Sequence, residues 1–261
     1  MFVINTLYGQ MGNQLFHYNN LVQLSHIFKQ KSLSLSFENN HLFNLNNLSN
    51  KTNQIKINEI LTSDILLNGD FLIDDNKNYL IDVSLYELFY KFNEISTFDI
   101  FKLNVDLTFE SKKQISIHFR GTDYKDWDQK SQLDTDYYVN SIDYITKQIN
   151  DEHFFSIYTD DFSLESYKET LKYLTNNNKE VRLGNKQNVC QDFIELSNSD
   201  YVISSPSTFC ISASFCGKKN KKIIQSNEWM KYKIESDYFR DIFWKQLNNG
   251  GNDDYKLWSL I

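Results

Sequence analysis

The chain has 261 residues, 41% of them apolar and 15% aromatic, enough for one large domain or two of ordinary size with a substantial core. Only 8 Gly and 1 Pro exclude a linker-rich or disordered chain. A net charge of −7 argues against nucleic acid as the main partner, which needs a broad basic face, but leaves room for a small phosphorylated ligand in a local pocket.

Met1 leads straight into an apolar strand at residues 2–5, without the basic n-region and apolar run of a secretory signal. No stretch approaches the roughly 18 consecutive apolar residues of a membrane span. Cys190, Cys210 and Cys216 are odd in number and lack metal-type spacing, so they read as reduced, buried, small apolar residues. The expectation is a soluble cytoplasmic protein, with docking on a membrane surface still compatible.

After the first strand comes Leu7-Tyr8-Gly9-Gln10-Met11-Gly12-Asn13-Gln14, and from there the pattern turns helical, with Phe16, Leu21, Leu24 and Phe28 near one face. Strand, glycine turn and helix form the layout in which backbone N–H groups face a ligand. Gly9 and Gly12 also suit any tight turn. Gly12-Asn13-Gln14 is sharper, because two amides at a helix start offer donors and acceptors for sugar hydroxyls. His17 and His26 on this helix read as packed or solvated histidines. A second strand is expected at 32–37, then an Asn-rich loop with short helical pieces over 39–58. Tyr79–Val83 reads as a strand and 85–101 as a helix whose Phe and Tyr residues belong to a core. The polar break around Asn104–Lys113 sets a boundary, giving domains 1–110 and 111–261.

The second half restarts with Gln114–Phe119, apolar at 115, 117 and 119, running into the polar turn that holds His118, Arg120, Thr122 and Asp123. Arg120 is one of only three arginines in a lysine-rich chain, and its planar fork suits two hydrogen bonds to phosphate. A structural Arg120–Asp123 turn pair is the other reading. A helix from Asp134 to about Ile149, a strand at 154–158 ending in Thr159-Asp160-Asp161, and a helix to Leu174 follow. A short strand at 181–183, a helix at 189–199, a strand at 201–203, a helix opened by Ser204–Thr208, and a strand at 222–224 complete the set. Alternating strands and helices imply a parallel α/β sheet, whose ligands collect at the carboxyl ends of strands. Three such ends are polar: 118–123, 159–161 and 204–208. Ser204, Ser205, Ser207 and Thr208 offer hydroxyls beside the N–H groups of a helix start, a cradle for phosphate; ordinary N-capping by a serine is the other reading. Asp192 could accept from a guanine N–H pair or stand as a solvated acid. Asp160 and Asp161 could bind a metal or support turns, and without a nearby histidine the metal reading is the weaker.

Taken together these residues carry a resemblance. His118-Phe119-Arg120-Gly121-Thr122-Asp123 resembles the H-x-R-x-x-D motif of fucosyltransferases, across the α1,2 (glycosyltransferase family 11), α1,6 and protein O-fucosyltransferase groups. Gly9–Tyr18 resembles the G-x-x-G-N-Q-x-F-x-Y start of bacterial α1,2-fucosyltransferases. Tyr137-Tyr138, Thr159–Asp161, Asp192–Phe209 and Lys222–Trp229 fall in the same order, so the similarity covers nearly the whole chain, with 39–78 unmatched.

The resemblance implies a GT-B-like architecture, two Rossmann-like domains facing a cleft, with GDP-fucose bound by the second. It implies that Arg120 binds the donor's β-phosphate, His118 helps hold the nucleotide, Ser207, Thr208 and Phe209 line the pyrophosphate, and Asp192 reads guanine. Gly12, Asn13 and Gln14 would sit on the cleft or acceptor side. Gly121 departs from the pattern, because many members carry a second arginine there. The chemistry agrees: a guanidinium and helix N–H groups can stabilise charge on a departing diphosphate without a metal. An inverting displacement also needs a base for the acceptor hydroxyl, for which Asp126 and Asp128 are in reach and Asp128 is chosen. Asp123, Asp160 and Asp161 are expected to support the turns. The expected activity is inverting transfer of fucose from GDP-fucose to a glycan hydroxyl, α1,2 to galactose, with no metal and no other cofactor. The rivals are a GT-B enzyme using another sugar nucleotide and a non-catalytic nucleotide-sugar-binding module.

Overall fold

Short apolar runs that end in polar turns become parallel strands in both halves of the chain. The computed structural model describes residues 1–68, 72–82, 100–105, 110–122, 132–184, 188–218 and 221–225. The chain divides into two compact units after Val105.

The first unit holds strands β1 (Phe2–Ile4), β2 (Ser32–Leu35), β3 (Leu48–Ser49), β4 (Glu59–Thr62) and β5 (Tyr79–Asp82), with helices α1 (Met11–Ile27) and α2 (Ser63–Asn68). They form one sheet in the order β3-β2-β1-β5-β4, every pair parallel. Strand β1 is central and wholly buried, as a parallel strand covered on both faces must be. Phe2 meets Phe28 and Tyr79 edge to face, with centroids 5.9 and 6.0 Å apart. The Asn-rich segment contains two single-turn 3-10 helices, Asn40–Leu42 and Thr52–Gln54, around the two-residue β3. Sequence reasoning assigned neither β4 nor α2. The helix expected over 85–101 lies, up to residue 99, outside the described residues. Helix α1 departs from the expected one-sided pattern: beside Leu15, Phe16, Leu21 and Leu24 it also buries His17, Asn19, Asn20 and Gln23.

The second unit holds β6 (Lys113–Phe119), α3 (Thr135–Thr146), β7 (His153–Thr159), α4 (Glu165–Asn176), β8 (Val181–Leu183), α5 (Val189–Ser197), β9 (Tyr201–Ser204), α6 (Thr208–Ser214) and β10 (Lys222–Gln225). The sheet order is β10-β9-β6-β7-β8, again all parallel. The chain winds outward from β6 through β7 to β8, then returns to the other side of β6 to lay down β9 and β10. The strand order therefore reverses between β6 and β9, and such a reversal opens a crevice at the carboxyl ends. The described residues are thus α/β with two parallel sheets, an arrangement compatible with two Rossmann-like domains.

The two faces of this second sheet differ in chemistry. Ile115, Ile117, Phe119, Phe155, Ile157, Ile203 and Ile224 form one apolar cluster with Tyr138, Ile142 and Ile145 of α3 and Tyr167 and Leu174 of α4. Each such side chain contributes about 1.5–3 kcal/mol by burial. The opposite face is hydrogen-bonded. Gln114 Nε2 donates to Ser116 Oγ, Ser156 Oγ and Tyr158 Oη at 3.1, 3.3 and 3.2 Å, and Ser116 Oγ lies 2.6 Å from Ser199 Oγ. Buried polar groups are tolerated because they are paired.

Local signals start α3 and α5 where the sequence places them, though these helices end at Thr146 and Ser197, two or three residues earlier than expected. Asp134 caps α3 by accepting from Tyr137 N at 2.9 Å, and Asn188 caps α5 by accepting from Gln191 N at 3.0 Å, each worth about 1 kcal/mol. At their other ends α5 and α6 share one lysine. Lys221 is 0% exposed, and its Nζ donates to Ser197 O, Ala213 O and Cys216 O at 2.8, 3.1 and 2.7 Å. An ammonium at two helix C-termini satisfies carbonyls that the helices leave open. None of the three cysteines is in a disulfide; Cys210 and Cys216 are buried as expected, whereas Cys190 is half-buried.

Candidate functional site at the strand ends

The reversal between β6 and β9 brings two of the polar strand ends together. His118, next to last in β6, pairs in register with Tyr158 of β7 on one side and Ser204 of β9 on the other. The backbone continues the match, with Ser205 N donating to His118 O at 3.0 Å. The side chains meet as well: His118 Nδ1 lies 2.7 Å from Ser205 Oγ. The imidazole is 5% exposed and leans on Phe209, whose ring centroid is 5.7 Å away, and Phe209 in turn meets Phe193 edge to face at 5.3 Å. Burial lowers the His118 pKa to about 4, against the raising influence of Asp160, while Arg120 lowers it further. The side chain is therefore neutral near pH 7, fit to exchange hydrogen bonds without carrying charge.

One residue beyond β6, Arg120 is 15% exposed at its side chain and its Nη1 stands 2.8 Å from Asp160 Oδ2. The same carboxylate accepts from Gly121 N and from Thr122 Oγ1, each at 2.8 Å. Asp160 thus ties the arginine turn to the end of β7. It is also an ion-pair partner of Arg120; Asp123, the partner that local reasoning offered, lies outside the described residues together with Asp126 and Asp128. Asp161 supports its own turn: its Oδ1 accepts from Ser163 N and Ser163 Oγ at 2.8 and 2.6 Å. Gly121 has a steric reason to be glycine. A Cβ there would lie 2.7 Å from Leu164 Cδ1 and 2.9 Å from Asp161 Cβ, closer than real side chains come.

Arg120 also lines a cleft of about 530 Å³ with Gln132, Leu133, Asp134, Thr135, Tyr138, Leu164, Glu165 and Ser166. These walls are the starts of α3 and α4. Ser207, Thr208 and Phe209 are not among them. Ser207 is buried at the N-cap position of α6, yet its hydroxyl makes no capping bond, so the reading of it as an ordinary helix cap does not hold. Thr208 and Phe209 follow it, half-buried. Asp192 stands in the first turn of α5, half-buried beside Gly184, where an added Cβ would lie 2.9 Å from Asp192 Oδ1 and would also strike Tyr158.

In the first unit the Gly9 turn carries φ +70°, the left-handed region that favours glycine, and Asn13 fills the space where a Cβ would stand. Gly12 is buried in the first turn of α1, and Gln14 Nε2 donates to Gly9 O at 2.9 Å. The expected amides therefore close the turn with at least part of their bonding capacity. His17, read from sequence as packed or solvated, is 5% exposed, with its ring centroid 5.9 Å from that of Tyr8. Burial lowers its pKa to about 4, while the nearby Asp82 charge at the end of β5 acts the other way. Sequence reasoning also missed Ser205 as a partner of His118. The Ser204–Thr208 run announced hydroxyls, but only strand register tells which of them faces the histidine.

Among the described residues no group of three or more His, Cys, Asp or Glu could hold a metal ion, and no helix is long and apolar enough to cross a membrane. No protein-family model matches the chain, and no curated protein does.

Proposed function

We propose that the chain is an inverting, metal-independent glycosyltransferase of the GT-B type that moves fucose from GDP-fucose to a glycan hydroxyl, α1,2 to galactose, in the cytoplasm. The observation that carries this reading is the gathering of His118, Arg120, Ser205 and Phe209 around the carboxyl ends of β6 and β9, where the strand order reverses. As the bond from the sugar's anomeric carbon to the diphosphate breaks, its electron pair goes to a β-phosphate oxygen. Arg120 would stabilise that charge, already held in place by Asp160 and so needing little reorganisation. Neutral His118 would hold the nucleotide, Ser207, Thr208 and Phe209 would line the pyrophosphate, and Asp192 would read the base. The acceptor oxygen forms the new bond to the anomeric carbon, and its proton passes to a base, for which Asp128 is our choice.

The test is incubation with GDP-fucose and galactose-terminated glycans, with linkage analysis of the product. Arg120→Ala should cut turnover by about 100-fold or more in a variant that still folds; wild-type turnover in that variant removes the proposal. One observation favours a second reading: the Arg120 guanidinium is already paired with a carboxylate, as it would be in a nucleotide-sugar-binding module without catalysis. That module would bind GDP saturably and release none from any acceptor mixture. A panel of sugar nucleotides separates GDP-fucose from other donors.

A further inference from the structure

Tyr8 is 58% exposed, a large aromatic side chain left in solvent on the turn between β1 and α1. In the first sheet β1 is flanked by β2 and β5, so the carboxyl ends of β1 and β5 border the point where the strand order reverses. Beside the Tyr8 ring lies the imidazole of His17, 5.9 Å away between centroids. His17 Nε2 is buried and has no hydrogen-bond partner among the described residues. One helical turn earlier on the same side of α1, Gln14 Oε1 is also buried without a partner, although the other end of that amide is bonded to Gly9 O. Native proteins seldom leave such groups unpaired, because a buried polar atom that has lost its water and gained no partner destabilises the fold.

These atoms define the chemistry of what would complete them. The ligand must present hydroxyls to two neutral polar atoms and an apolar face to an aromatic ring. The charge acting on His17 is that of exposed Asp82, which disfavours a phosphate or carboxylate. A pyranose has both required surfaces: a rim of hydroxyls and a face of C–H groups. We infer that the β1–α1 turn is a pyranose-binding subsite, in which Tyr8 is the platform and His17 Nε2 and Gln14 Oε1 take hydroxyls. Its role as the acceptor site rests on the transferase reading above; its capacity to bind sugar does not.

The experiment uses the full chain and methyl β-D-galactopyranoside, with the gluco and manno analogues alongside, read by saturation-transfer NMR. GDP-fucose binding is measured on the same samples. The galactoside is expected to bind with a dissociation constant of about 1 mM. Tyr8→Phe keeps that affinity, whereas Tyr8→Ala weakens it at least about tenfold while GDP-fucose binding stays at the wild-type level. His17→Leu and Gln14→Leu should weaken the sugar likewise. Because Tyr8 is exposed, its alanine variant reports on the site even where a substitution at buried His17 unfolds the chain. The inference is overturned if none of the three pyranosides binds the wild type, or if Tyr8→Ala binds as the wild type does. Sugar binding that depends on Tyr8 in a chain that ignores GDP-fucose would uphold the subsite and remove the transferase reading.

Discussion

Arg120 and Asp160 form an ion pair of 2.8 Å between the end of β6 and the end of β7, and the same carboxylate also receives the Gly121 N–H and the Thr122 hydroxyl. One acid thus fixes both the backbone of the arginine turn and the direction of its guanidinium.

Asp160→Ala should therefore loosen the turn as a whole. Three donors lose their acceptor, and the expected cost is about 1–3 kcal/mol of stability. Affinity for GDP should fall together with stability, since Arg120 would no longer be held. Denaturant unfolding and calorimetric titration of GDP check the two effects. A variant with intact GDP affinity would show that Arg120 acts independently of its partner.

Introducing at Gly121 the second arginine that many fucosyltransferases carry in the motif it resembles should be destabilising. The new side chain would collide with Leu164 and Asp161, at a cost of about 1–3 kcal/mol. Leu164→Ala removes one of the two obstacles. In a double-mutant cycle Gly121→Arg should cost less on the Leu164→Ala background than on the wild type.

His17 and His118 both have pKa values lowered to about 4 by burial, below the ordinary 6.5. The unfolded chain then binds protons more readily than the folded one as pH falls below about 6.5. Their contribution to stability is fully present above that value and declines toward pH 4. Urea unfolding across this range should show a slope of up to about 1.4 kcal/mol per pH unit for each histidine. A His118→Gln variant should lose one share of that slope.

Lys221→Met should destabilise the second unit by about 3 kcal/mol, because three buried carbonyls at the ends of α5 and α6 lose their donor. Thermal unfolding measures it. Burial lowers the Lys221 pKa to about 7, so the wild type should also gain stability as pH rises from about 7 toward the ordinary lysine value, a gain the methionine variant lacks.

The parts of the fold that could be read from sequence are those with short-range signatures. Strand β6 declared itself through Ile115, Ile117 and Phe119 followed by a polar turn, and α3 through the acids at its start. Strand β4 and helix α2 did not, because β4 places Glu59 and Ile60 in solvent and buries only Leu61 firmly, leaving no clean period to detect. The polar burial along α1 was equally hidden: His17, Asn19 and Gln23 look like surface residues until both faces of the helix are covered. At the site, His118 and Arg120 were visible as chemistry, but their partners were not. Ser205 and Asp160 arrive from other strands through register, a long-range property that local spacing does not encode.

The unlike faces of the second sheet give its two sides different mutational latitude. Where Ile117, Phe155 and Ile203 meet α3 and α4, aliphatic exchanges of similar volume should pass with small loss, since packing is non-directional. Where Gln114, Ser116, Ser156, Tyr158 and Ser199 meet, each atom has an assigned partner, so even an isosteric Ser116→Cys or Tyr158→Phe exchange strands a neighbour. Sequence drift in this protein should therefore be lopsided, fast under α3 and α4 and slow under α5, with the slow side leading directly to His118.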